Sequence, residues 1–261
     1  MTPRGESPSA VRSEDSKVLI ELEEVTRTYG EAVPVHALNR VSLSIHAGDF
    51  MSIVGPSGSG KSTMLGLLGI LDVPTGGTIC VGGTDVSTLS DVGRSRLRGD
   101  FVGFVFQQFH LVPHLTAQGN VEAALLYRGL TSAERRERAR AALDRVGLAH
   151  RFDHRPIQMS GGEQQRVALA RAIVTEPRMV LADEPTGALD TANAANVIEI
   201  LDDLVSPGTA VVIVTHDREV AAHAPRCVSM LDGHIVADDR AAPGTPLAAA
   251  KPLARQGTVG Q

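Results

Sequence analysis

Nine consecutive residues, Gly55-Pro56-Ser57-Gly58-Ser59-Gly60-Lys61-Ser62-Thr63, constrain the fold of this 261-residue chain more than any other feature. They follow an apolar run, Phe50 to Val54, that predicts a buried strand. They lead into Met64-Leu65-Gly66-Leu67-Leu68, whose spacing predicts a helix. Strand, glycine-rich loop and helix is the context in which Gly-x-x-x-x-Gly-Lys-Ser binds phosphate. Gly55, Gly58 and Gly60 let the backbone turn tightly and aim successive N–H groups at an anion. The helix that follows adds free N–H groups and a positive dipole end. Lys61 is then placed to reach β- and γ-phosphates, and the Ser62 hydroxyl to ligate Mg²⁺. The segment implies a nucleoside triphosphate site.

A formal net charge of −5, with no strongly basic block, argues against a dedicated nucleic-acid binder, so no nucleic-acid partner is expected. Cys80 and Cys227 lie far apart without metal-type spacing and read as reduced thiols. No apolar stretch approaches the roughly 20 residues that span a bilayer. The stretch Met1 to Lys17 is polar and lacks an apolar signal core. These features lead us to expect a cytosolic protein that meets a membrane only through a partner. Residues 1–16 and the Ala/Pro/Gly-biased residues 240–261 are expected to be a disordered and a flexible tail, leaving 17–239 as the folded unit.

Within that unit, Val18–Leu22 and Val41–Ile45 alternate apolar and polar residues, as half-buried antiparallel strands do. Phe50–Val54, Met179–Ala182 and Val211–Val214 are continuously apolar, as parallel strands covered on both faces are. Helical patterns separate them, so the expected class is α/β: a parallel-sheet core with an N-terminal antiparallel β subdomain. The interval at about 108–170 is largely helical in pattern and predicts a helical subdomain inserted in that core. Thr131 and Glu134 have the spacing of a capping box, and Gly147 is placed to end the helix they open. Glu134 with Arg138, and Arg140 with Asp144, are spaced for helix-face pairs, so the Arg-rich run reads as a solvated face.

Two further segments carry chemistry. Met179-Val180-Leu181-Ala182-Asp183-Glu184 is a buried strand ending in two acids, and ligands of open α/β sheets gather at such carboxyl ends. Asp183 is placed to hold Mg²⁺, and Glu184 to polarise an attacking water as a general base. In Met159-Ser160-Gly161-Gly162-Glu163-Gln164-Gln165-Arg166, Ser160 and Glu163 are spaced to cap a helix. Gly161 and Gly162 are poor helix formers at its start, which makes sense if a phosphate must approach the backbone closely.

Taken together, the GPSGSGKST loop, MSGGEQ and LADEP resemble the ATP-binding cassette family over about Val18 to Asp239. The resemblance implies ATP with Mg²⁺ as ligands, and Lys61, Glu184 and His216 as catalytic groups. It implies that Tyr29 stacks on adenine and that Gln107 contacts Mg²⁺ or water and senses a membrane partner. Ala188-Leu189-Asp190 would cross to a second subunit, and His216 would contact the γ-phosphate. It further implies a head-to-tail homodimer in which Ser160, Gly161, Gly162 and Glu163 cap the ATP of the partner. Met159, Glu163 and Gly187 depart mildly from the family pattern without removing a catalytic group.

The segments LRGDFVGFVFQQFHLVPHLTAQGNVE and LADEPTGALD are similar to the branch of macrolide-export, lipoprotein-release and cell-division ATPases. That likeness implies an ATPase subunit, peripheral on the cytoplasmic face of a membrane, that powers a separate permease in export or mechanical signalling. The rival is a soluble ATPase of the same family acting in DNA repair or translation, but long coiled coils, zinc modules or a second cassette are not seen here. A small-molecule P-loop kinase is a further rival, and it would not need the Ser160–Glu163 segment.

Overall fold

A computed structural model describes residues 17–241, apart from positions 31 and 207. The elements run β1 (Val18–Tyr29), β2 (Val35–His46), β3 (Phe50–Val54), α1 (Lys61–Leu68), β4 (Gly76–Val81), β5 (Thr84–Asp85), α2 (Asp91–Phe101) and β6 (Val102–Phe106). They continue through α3 (Ala117–Glu122), α4 (Ser132–Arg145), α5 (Gly161–Ile173), β7 (Met179–Asp183), α6 (Thr191–Asp203), β8 (Ala210–Val214), α7 (Arg218–His223), β9 (Arg226–Leu231) and β10 (His234–Arg240). The expected tails fall outside the described residues, except that Arg240 pairs with Arg226 and so still belongs to β10.

Two sheets organise the chain. An antiparallel sheet has the order β2-β1-β4-β5, and a second sheet the order β10-β9-β3-β8-β7-β6. In the second, β9, β3, β8, β7 and β6 are parallel and β10 closes one edge antiparallel. The continuously apolar runs are therefore central strands, as their composition requires. Their side chains alternate between two cores. Met51, Ile53, Leu181, Val212 and Val214 pack with α1 and the antiparallel sheet. Phe50, Val180, Ala182, Val211 and Ile213 pack with α3, α4, α5 and α6. The inserted helices thus share an apolar core with one face of the parallel sheet.

Local expectations for α4 divide. Its capping box is present, with the Glu134 N–H donating to Thr131 Oγ1 and the Thr131 N–H to Glu134 Oε2, and Gly147 follows the helix at φ 73°. The helix-face pairs did not emerge. The Glu134 carboxylate is turned back onto Thr131, and Arg140 donates instead to Gln118 Oε1 at 2.8 Å and lies over the Phe152 ring. A cap satisfies a backbone donor that has no other partner, whereas an exposed ion pair gains only a few tenths of a kcal/mol.

Candidate nucleotide site

Register across the parallel sheet assembles the site. Phe106 pairs with Asp183, Asp183 with Val214, and Val214 with Ile53. The next residues along these strands therefore emerge together on one edge. They are Gln107 after β6, Glu184 after β7, Thr215 after β8 and the phosphate loop after β3. Strand carboxyl ends are where open α/β sheets place their ligands.

The loop has the backbone an anion site needs. Gly58 lies at φ 81° with open space where a Cβ would be, and Gly60 lies at φ 98° beneath the Ala37 carbonyl. Gly55 has no room for a side chain, since a Cβ there would sit 2.4 Å from the Met230 carbonyl oxygen. No side chain caps the start of α1, whereas Ser90, Thr116, Thr131, Ser160, Asp190 and Asp217 accept from the first turns of the other α-helices described. The first N–H groups of α1 are left for a ligand. The Lys61 ammonium donates to the carbonyls of Gly55 and Pro56 at 2.7 and 2.9 Å, so it is already folded over the loop. Ser57 and Ser62 are exposed, Thr63 is half-buried and Ser59 is buried, its hydroxyl oxygen without a hydrogen-bond partner.

Asp183 and Glu184 are adjacent but differently held. Burial pushes the Asp183 carboxyl up from its ordinary pKa, repulsion from Glu184 adds to this, and Lys61 opposes both. A half-buried carboxylate under that stress fits a divalent cation, as does the exposed Ser62 hydroxyl of the loop. Among the described residues no three His, Cys, Asp or Glu side chains cluster tightly enough to hold a metal alone. Mg²⁺ would therefore depend on Ser62, Gln107, Asp183 and the nucleotide's own oxygens.

Glu184 lies at φ 45°, a region costly for a residue with a side chain. Its N–H donates to the Val214 carbonyl at 2.8 Å and its carbonyl accepts from Gly187, which hold the turn. The carboxylate accepts from Thr215 Oγ1 at 2.9 Å on Oε2, and from His216 N and Nδ1 at 2.9 and 2.6 Å on Oε1. In the Nδ1 contact the ring nitrogen donates, because a carboxylate oxygen only accepts. Gln107 lies beside Gly187, where a Cβ would meet the end of its flexible side chain, Nε2, at 2.8 Å.

Tyr29 ends β1, and its hydroxyl donates to Asp72 Oδ2 at 2.7 Å. The Arg27 guanidinium sits 4.4 Å from the ring centroid and pairs with the same carboxylate, which covers one face of the phenol. Nothing in the local sequence marks Asp72 as the anchor of both side chains, because it lies 43 residues beyond Tyr29.

The Ser160–Glu163 capping box is present, and Glu163 is locked further by Arg151 Nε at 2.8 Å. The backbone N–H of Ser160 holds the Glu163 carboxyl below its ordinary pKa, and Arg151 adds to the effect. The two glycines differ. A Cβ on Gly162 would lie 2.0 Å from Asn193 Oδ1 and 2.9 Å from Asn193 Cβ, whereas one on Gly161 would meet nothing closer than 3.8 Å. The Asn193 side chain is itself tied to Asp190, so it has no easy way to swing aside. Gly162→Ala is expected to cost about 1–3 kcal/mol of stability. Gly161→Ala is expected to melt with the wild type, and parallel thermal denaturation of both variants checks this.

A phosphate loop, an acidic strand end and this sheet order define the class of P-loop nucleotide-binding domains. The family model described as ABC transporter matches residues 38–187, and the chain belongs to that family. It is 48% identical over 238 residues to the macrolide export ATP-binding/permease protein MacB of Rhodospirillum rubrum, covering 91% of this chain and 36% of that protein. It is 50% identical over 222 residues to the pyoverdine export ATP-binding/permease protein PvdT of Pseudomonas aeruginosa, covering 84% and 34%. The chain therefore spans about a third of the length of these curated relatives. Among solved structures, it resembles the ATP-binding cassette MJ0796 in a dimeric post-hydrolysis state bound to ADP and Pi. There the TM-score is 0.78 at 43% identity, covering 85% of this chain and 98% of that one.

Proposed function

We propose that this chain binds ATP with Mg²⁺, hydrolyses it between two facing copies, and powers a membrane permease in export. The observation that carries this is the register that brings the phosphate loop, Gln107, Asp183, Glu184 and His216 to one sheet edge. The phosphate loop and α1 bind the triphosphate, with Lys61 exchanging its carbonyl partners for phosphate oxygens. Mg²⁺, when bound, offsets the charge of the β- and γ-phosphates. Glu184 accepts a proton from water, and the exposed His216 side chain donates a hydrogen bond to the γ-phosphate. Tyr29 offers its uncovered face to the base, and Ser160, Gly161, Gly162 and Glu163 close over the nucleotide of the second copy.

Two observations support the assembly. The similar cassette was solved as a dimer, and the named relatives are export proteins that combine ATP binding with a permease. No helix among the described residues is long and apolar enough to cross a membrane, so the proposed position is peripheral, on the cytoplasmic face, through the permease. The export names of the relatives favour this reading over action on DNA or the ribosome.

Lys61→Ala tests the first step. Losing one charge-assisted contact to the triphosphate is expected to weaken ATP binding about 10- to 100-fold. Calorimetric titration with Mg–ATP measures it, and wild-type affinity would show that Lys61 does not hold the phosphates.

A further inference from the structure

We propose that Thr215 is a positioning residue for ATP hydrolysis, anchoring one oxygen of Glu184 so that the other can take the proton; this rests on the reading of Glu184 as general base. Thr215 is fully buried at the end of β8. Its hydroxyl donates to Glu184 Oε2 at 2.9 Å and accepts from the Asp217 N–H at 3.0 Å. Its own N–H donates to the Ile53 carbonyl at 3.1 Å, on the strand that runs into the phosphate loop. Main chain and hydroxyl together tie the carboxylate to the strand that positions the nucleotide.

The two oxygens of Glu184 are held by partners of opposite character. Oε2 is bound by the buried Thr215 hydroxyl, whereas Oε1 accepts from the His216 backbone N–H and from the imidazole of a side chain that is 76% exposed. A carboxylate in a left-handed turn has its main chain fixed by the Val214 and Gly187 contacts, so its remaining freedom is rotation about side-chain bonds. The Thr215 hydroxyl removes that freedom at one oxygen. The exposed imidazole is the partner able to turn away, which opens one acceptor position on Oε1 for the proton while the Thr215 hydroxyl still holds Oε2 and the His216 N–H still holds Oε1. The hydroxyl has one proton and gives it to Glu184, so no other group could take that proton without abandoning Glu184. The alternative is that the hydroxyl serves only the Asp217 N–H at the start of α7.

Thr215→Val removes the hydroxyl at nearly constant shape, and Thr215→Ser keeps it while removing the methyl group. The full chain is assayed with Mg–ATP, with circular-dichroism melts in parallel. In Thr215→Val, kcat is expected to fall about tenfold or more, the effect of losing one hydrogen bond to a charged group. KM should stay within about twofold of wild type, because the lost interaction matters only in the reaction step. Thr215→Ser should restore kcat. On a Glu184→Gln background, Thr215→Val should change the residual rate little, since groups that act as a unit are not additive.

Wild-type kcat in Thr215→Val, with Glu184→Gln inactive, overturns the positioning role and leaves the base assignment intact. Normal hydrolysis by Glu184→Gln instead overturns the assignment on which the proposal rests. Equal losses in Thr215→Val and Thr215→Ser, with KM rising in step, assign Thr215 to structure alone. If Thr215→Val melts below the assay temperature, Thr215→Ala supplies the same comparison, and Thr215→Ser must still turn over normally.

Discussion

Glu184→Gln is expected to bind ATP like the wild type and to lose hydrolysis by about a hundredfold or more, the range a positioned general base contributes. The carboxylate accepts from the Thr215 hydroxyl and from two nitrogens of His216. An amide offers one acceptor oxygen and one donor nitrogen. Its oxygen belongs with the His216 backbone N–H, which has no alternative role as acceptor. Its nitrogen then faces Thr215, whose hydroxyl can receive it on its second lone pair but must turn its own proton away from residue 184. The variant is therefore expected to fold with a melt somewhat below wild type, and a melt above the assay temperature makes lost turnover a report on proton transfer. Under the proposed two-copy site it should accumulate as an ATP-bound dimer, read by size-exclusion chromatography at micromolar protein with radiolabelled nucleotide. Near-normal turnover would move proton acceptance elsewhere, with His216 the first candidate.

The central strands were legible in the sequence because burial on both faces leaves no room for polar residues. Val211–Val214 and Met179–Ala182 could be little else. The strand β6 was not legible. It contains Gly103, a residue that weakens a strand pattern, and here the reason is contact: a Cβ at Gly103 would lie 2.3 Å from the Ala172 carbonyl oxygen of α5. The glycine lets the signature helix approach the sheet, and that need belongs to tertiary structure. The same holds for β9, which opens with Arg226. Its guanidinium is buried, and its partners Asp49 and Asp238 lie on either side of it in sequence and far away. Read locally, a buried arginine argues against a central strand. The ion pairs with Asp238 and Asp49, with a hydrogen bond to the Ser44 carbonyl, make it tolerable.

The candidate site divides along the same line. The phosphate loop, Asp183 and Glu184 announce themselves because their geometry is local, a strand followed by the ligand groups themselves. Thr215 did not, because its chemistry depends on a carboxylate 31 residues earlier that only sheet register brings near. Likewise Arg151, which holds Glu163, sits 12 residues before it, in a segment that has no periodic pattern to flag it. Sequence patterns thus report what a segment must bury or bind by itself. Groups that act by steadying another group need the fold before they can be recognised.

Gly161→Asp is expected to abolish hydrolysis while leaving the monomer folded and able to bind ATP through Lys61 and Ser62. The backbone admits a Cβ at this position, since the nearest atoms to it are 3.8 Å away. An acid in the first turn of α5 also suits the positive end of the helix. If this turn closes over the nucleotide of the facing copy, the added carboxylate meets a γ-phosphate. Two unit charges about 4 Å apart repel by about 4 kcal/mol at an effective dielectric constant of about 20, roughly a thousandfold in closure. Mixing Gly161→Asp with Lys61→Ala separates a composite site from a site within one chain. In the mixed head-to-tail dimer one site carries both defects and the other neither, so activity should reappear on mixing two inactive proteins. The rate is followed by phosphate release across mixing ratios, with mixed dimers verified by differential tags. Undiminished hydrolysis by Gly161→Asp alone would remove the composite site from consideration. The Ser160–Glu163 box would then stand as a helix cap and nothing more. Verified mixed dimers without recovered activity would mean either that each copy works within itself or that both sites must be intact together. A tandem fusion carrying both substitutions on one half decides between them: head-to-tail closure leaves neither of its sites whole, whereas self-contained copies leave one.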